Sequence, residues 1–139
     1  MNPTLILWPM IIHALVTLFL YVPMSQTRVR TVKQGKVKAS AYKLNEDEPA
    51  ESTVFSNAIR NQNEIGVLFY AACLTAYVTT APMAVAAALA WLFIIAKCVH
   101  VYVHVTSNRL RYRRPIFAIA FLMVILLWLV NAAHLAGII

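Results

Sequence analysis

The chain has 139 residues, of which 61% are hydrophobic and 12% charged, with a mean hydropathy of +0.70. Soluble domains run at about 45–50% apolar and 25% charged residues, so this composition excludes an ordinary soluble fold. A net charge of +7 would suit a nucleic-acid binder, but ten of the twelve Lys and Arg are gathered in two short stretches, which argues against one.

A hydrocarbon core about 30 Å thick needs about 20 apolar residues per helix. Four stretches reach that length, roughly 4–26, 56–80, 83–107 and 115–138. They use nearly the whole chain and leave no room for a separate soluble domain. The expected fold is all-α: one integral-membrane four-helix domain over 1–139.

The first stretch, 4–26, contains Pro9 and Pro23. Pro9 can kink a membrane helix where neighbouring groups satisfy the freed carbonyl. No Lys or Arg precedes the run, as the n-region of a signal peptide would require, so it reads as a retained span. His13, alone in this helix, is expected to bond a neighbouring backbone group.

Residues 31–53 form the long loop. Its first half is basic, with Lys33, Lys36, Lys38 and Lys43, and its second half, Asn45-Glu46-Asp47-Glu48-Pro49-Ala50-Glu51, is acidic. The pattern predicts a solvated, partly self-neutralising loop whose lysines lie near anionic head groups.

The second and third stretches carry the unusual chemistry. Ionisable side chains in a membrane helix are costly unless they face protein or a water-filled cavity, and are functional candidates for that reason. Residues three and four apart share a helix face. Asn57, Asn61 and Glu64 therefore form one stripe, with Arg60 on its border. Lys97, His100, His104, Asn108 and Arg111, spaced by 3, 4, 4 and 3, form a second. The turn Thr79-Thr80-Ala81-Pro82 permits only an antiparallel hairpin. At 1.5 Å per residue Glu64 lies about 13 Å and His100 about 12 Å inside the cytoplasmic face, so the two stripes are expected to meet at one depth. Cys73 and Cys98, isolated within apolar helices, read as packing residues.

The fourth stretch has Pro115 at a position like N1, which proline favours. Its polar residues are Asn131 and His134, expected to make interhelical hydrogen bonds. Arg28, Arg30, Lys33, Lys36, Lys38 and Lys43 follow the first span, and Arg109, Arg111, Arg113 and Arg114 follow the third. By the positive-inside rule, 31–53 and 108–114 are cytoplasmic and both termini lie outside.

Three readings of the stripes follow. They can hydrogen-bond only to each other, a weak return for so many ionisable groups. His100 and His104, at i and i+4, with Glu64 can form a two-His, one-carboxylate metal site. Or the stripes can bind a polar anionic ligand beside an apolar one, with Arg60, Arg111 and Arg28 or Arg30 taking carboxylates.

The run Arg60-Asn61-Gln62-Asn63-Glu64-Ile65-Gly66-Val67-Leu68-Phe69-Tyr70, with its Asn-x-x-Glu core, resembles the second helix of the MAPEG family (membrane-associated proteins in eicosanoid and glutathione metabolism). The stretch from His100 to Arg111 is similar to the third helix of its bacterial members. The resemblance implies a homotrimer of four-helix bundles in the bacterial inner membrane, with glutathione bound between subunits near the cytoplasmic side. It implies transferase or peroxidase chemistry on lipophilic electrophiles. Asn61 and Glu64 would contact glutathione, Glu64 at the α-amino group, while Arg111 would stabilise the thiolate. Arg60, Asn57, Asn108, His100 and His104 would complete the subsite. Asn57 stands where the family's eukaryotic enzymes have an arginine, and His100 and His104 stand where they have tyrosines. The alternative is a non-catalytic membrane protein of this fold with an altered thiol site, or the metal site.

Overall fold

The computed structural model describes residues 2–44 and 48–139. Helices α1 (Leu7–Lys33), α2 (Ala41–Leu44), α3 (Ala50–Val78), α4 (Met83–Val105) and α5 (Leu110–Leu135) follow a 3-10 turn at Pro3–Ile6. No strand occurs among the described residues. The fold is all-helical, as the composition predicts.

The ends are set by local chemistry. Asn2 Oδ1 accepts from the Thr4 amide at 3.0 Å, ahead of Pro3 in the first turn. At the other end of α1, Gly35 adopts φ 68°, and the amides of Gly35 and Lys36 bond back to Val32 and Thr31 at 3.0 and 3.1 Å. A left-handed glycine closing the last carbonyls is a common helix stop.

Helices α1 and α3 overrun the expected spans. The first ends at Lys33 rather than 26, and α3 begins at Ala50 rather than 56. Hydropathy marks where the bilayer ends, while capping decides where a helix ends. Pro115 is likewise not at N1, because α5 starts at Leu110 and holds the proline in its second turn. There the missing N–H leaves only the Arg111 carbonyl without its helical donor, at an exposed end that water can satisfy.

Among the described residues three helices are long and apolar enough to cross a membrane: Pro3–Lys33, Met83–Val105 and Leu110–Leu135. The expected fourth span falls in α3, which has the length, at 29 residues, but does not meet the same apolar standard. Asn57 and the run from Arg60 to Glu64 lower its hydropathy. Large apolar side chains point outward, such as Leu18 at 63% and Phe19 at 69% exposure, which suits contact with lipid.

Helices α3 and α4 lie at the centre, each packing on both α1 and α5, whereas α1 and α5 do not meet. Small residues make that approach close: Ala72, Ala76, Ala86, Ala87, Ala90 and Ala120 are buried around the stacked rings of Phe69 and Phe93, whose centroids lie 3.9 Å apart. A second apolar cluster, of Leu20, Ala58, Ile59 and Val101, joins α1, α3 and α4.

Candidate functional site

The two polar stripes have different fates. On α4, Lys97 is fully buried and His100 and His104 are 2% and 3% exposed, so this stripe turns into the chain's own interior. On α3, Asn57, Arg60 and Glu64 are exposed. The expected face-to-face pocket is realised at one point. Lys97 Nζ donates to Asn61 Oδ1 at 3.0 Å and to the Asn61 carbonyl at 3.3 Å, while Asn61 itself is half-buried.

Nor does the second stripe run unbroken to Arg111. Helix α4 ends at Val105, and Asn108 takes a left-handed turn at φ 48° that redirects the chain into α5. Asn108 Oδ1 accepts from Arg113 Nη1 at 2.6 Å, which makes it a corner residue. Arg111 lies beyond it, exposed, lining with Arg114 and Pro115 a surface hollow of about 500 Å³.

Inside, the imidazoles of His100 and His104 meet edge to face with centroids 5.6 Å apart, and His100 also approaches the Phe117 ring at 5.7 Å. The Nδ1 atoms of both are buried without a hydrogen-bond partner. Gln62, 0% exposed, has neither amide atom paired among the described residues. Gln62 belongs to neither polar stripe. The signal lay in its spacing: it shares a face with Ala58, Ile59, Ile65, Gly66 and Phe69, a run of apolar residues that are all buried.

His13 bonds a side chain rather than the expected backbone group. Its Nδ1 lies 2.8 Å from the Tyr70 hydroxyl, and its ring sits among Phe69, Tyr70 and Phe93. Asn131 and His134 bond across helices as expected, to the carbonyls of Ala72 at 2.9 Å and Thr79 at 3.0 Å. Cys73 and Cys98 are free thiols.

A polar hollow of about 550 Å³ opens between α1 and α3, lined by Arg28, Glu48, Ser56, Asn57 and Arg60 among others. Arg28 Nε donates to Glu48 at 2.9 Å, its Nη2 donates to Ser56 at 3.1 Å, and its guanidinium lies over the Tyr42 ring. Arg30 and Lys36 both reach Glu51, at 3.3 and 2.6 Å. These pairs partly neutralise the region, as its charge pattern predicts, while Asn45, Glu46 and Asp47 lie outside the described residues. Burial pushes the Glu48 carboxyl up, but hydrogen bonds from Arg28 and Ser56 and the Arg28 charge outweigh it and hold the group below its ordinary value. The hydrogen bond and charge of Lys36 hold Glu51 low as well.

Among the described residues no group of three or more His, Cys, Asp or Glu is placed to hold a metal ion. Glu64 faces outward while His100 and His104 face inward, so the expected third ligand is not on their side of the helix pair.

A model of the MAPEG family matches residues 6–133. No curated protein and no solved structure matches the chain.

Proposed function

The chain belongs to the MAPEG family, and on that premise we propose that it is a membrane-bound, glutathione-dependent transferase or peroxidase acting on lipophilic electrophiles. The observation that carries this reading is the outward polar face of α3. Asn57, Arg60 and Glu64 stand exposed on a helix whose neighbours are built for lipid, with no ion-pair partner among the described residues. Such groups within membrane reach call for a ligand or a second chain.

Glutathione suits both needs. Its ammonium would meet Glu64, a carboxylate would meet Arg60, and Asn57 and Asn61 would bond its amides. Arg111 would stabilise the thiolate, which raises the nucleophilic fraction at neutral pH. Because these residues lie on the surface of one chain, the site is completed by a neighbouring copy in a homotrimer, with α3 packed toward the three-fold axis as a fourth span. The protein would sit in the bacterial inner membrane, with residues 31–53 and 108–114 cytoplasmic and both termini outside. His100, His104 and Asn108 would act from behind the ligand.

The burial of both histidines favours a second reading, a protein of this fold without thiol chemistry. Calorimetric titration with glutathione, using detergent-purified wild type beside Glu64→Gln and Arg111→Ala, separates the two. Saturable binding weakened by Glu64→Gln supports the enzyme. No binding at millimolar glutathione overturns it.

A further inference from the structure

Lys97 is fully buried, and among the described residues it forms no ion pair with a carboxylate. Its head group is held by α3, through two oxygens of Asn61, and by α5, where the Phe117 ring centroid lies 5.8 Å from Nζ. Interhelical hydrogen bonds in membranes are weak and a buried ammonium is costly, so a structural tie alone accounts poorly for a lysine here.

The contact has a chemical consequence. An ammonium carries three donors and no acceptor, so it can face the oxygen of an amide but not its NH₂. We propose that Lys97 is a positioning residue that locks the Asn61 side chain with Oδ1 inward and Nδ2 outward. Asn61 then presents only a donor to the ligand face of α3. Its Nδ2 has no hydrogen-bond partner among the described residues and is not a buried atom, so it is the part of the amide open to the surroundings. A ligand beside Asn57 and Glu64 must therefore offer an acceptor at this point, a carbonyl or carboxylate oxygen, and an amine or hydroxyl that needs an acceptor is disfavoured. Asn61 joins the buried column of α4 to the exposed face of α3, which is why the lysine can act on a site it does not line. The ligand half of this inference rests on the glutathione reading; the amide orientation does not.

The test uses the whole protein in detergent micelles, with ¹⁵N side-chain amide spectra and glutathione titration run in parallel. The Asn61 resonance is assigned by its loss in Asn61→Asp. In Lys97→Met, which keeps length and removes the donor, that resonance is expected to shift or split as both amide orientations become populated. Glutathione affinity should fall about tenfold, the worth of one hydrogen bond. Lys97→Arg keeps a donor and should restore both signals. Asn61→Asp keeps an acceptor toward Lys97 but turns a second acceptor outward, so affinity should fall further while thermal stability holds. An unmoved Asn61 resonance in Lys97→Met overturns the proposal, as does wild-type affinity in Asn61→Asp. Should Lys97→Met fail to fold, the other two variants decide. If wild type binds no glutathione but the resonance moves, the positioning role stands and the glutathione reading falls.

Discussion

Gly66 and His13 meet across the α1–α3 contact with no room for a methyl group: a Cβ on Gly66 would lie 2.8 Å from Cε1 of the imidazole. The ring cannot easily retreat, because Tyr70 OH holds its Nδ1 at 2.8 Å and Phe69 and Phe93 flank it. Gly66→Ala should therefore destabilise the protein by about 1–3 kcal/mol, the usual cost of overpacking, despite alanine's better helix propensity. In a His13→Ala background the same substitution should be neutral or stabilising. Thermal unfolding in detergent across this double-mutant cycle measures the coupling, and equal losses in both backgrounds would show that the contact is not what constrains Gly66.

Asn131 makes a weaker case for itself. Its Nδ2 donates to the Ala72 carbonyl at 2.9 Å, but its Oδ1 is buried without a partner. An interhelical hydrogen bond in a membrane is worth about 0.6 kcal/mol, and removing the orphan oxygen offsets part of that. Asn131→Leu should change stability by less than about 1 kcal/mol in either direction. Unfolding of the variant in mixed detergent tests this, and a loss above about 2 kcal/mol would mean that the side chain does more than bridge α5 to α3.

These two pairs mark the limits of what the sequence shows. Periodicity predicted α4 to within two residues, the hairpin at 79–82, and the bonding of Asn131 and His134, because those follow from apolar length and local polarity. It could not say which neighbour a stripe faces. The α4 stripe turned inward and the α3 stripe outward, a choice made by packing between helices. Helix ends at Lys33 and Leu110 were set by Gly35 and by the turn at Asn108, to which hydropathy is blind. Gln62 lies beside the charged stripe on a face that is otherwise apolar, so periodicity alone marks its position as core. Gly66 carried no signal, since its reason is a ring on another helix.

The Arg28–Glu48 pair predicts an acid dependence. The Glu48 carboxyl is held below its ordinary value of 4.5, so its contribution is complete above that value and is lost as pH falls through the lowered one. Glu51 shifts in the same direction but is exposed, its side chain 43% accessible against 8% for Glu48, so solvent screens it. Thermal stability followed from about pH 7 down to about pH 3 should fall in wild type, fall less in Glu48→Gln, and be nearly unaltered by Glu51→Gln. A steeper acid loss in Glu48→Gln would reverse the sign and place the sensitive carboxylate elsewhere.

Arg111 bears on the proposed thiol chemistry in a way that pH can isolate. A thiol of ordinary pKa near 8.5 is about 3% ionised at pH 7, so an arginine that brings it to near-full ionisation raises the nucleophile's concentration about thirtyfold at most. The gain in rate is smaller, since a thiolate of lower pKa is a weaker nucleophile. Arg111 is exposed beside Arg114, where a ligand can reach it. If it acts on the sulfur, Arg111→Ala should lower turnover about tenfold at pH 7 with little change in glutathione affinity, and the deficit should shrink above about pH 9, where the thiol ionises unaided. A deficit that stays constant with pH would assign Arg111 to holding the peptide backbone or carboxylates of the ligand, because that task does not depend on the thiol's charge. Undiminished turnover at every pH would remove it from the reaction.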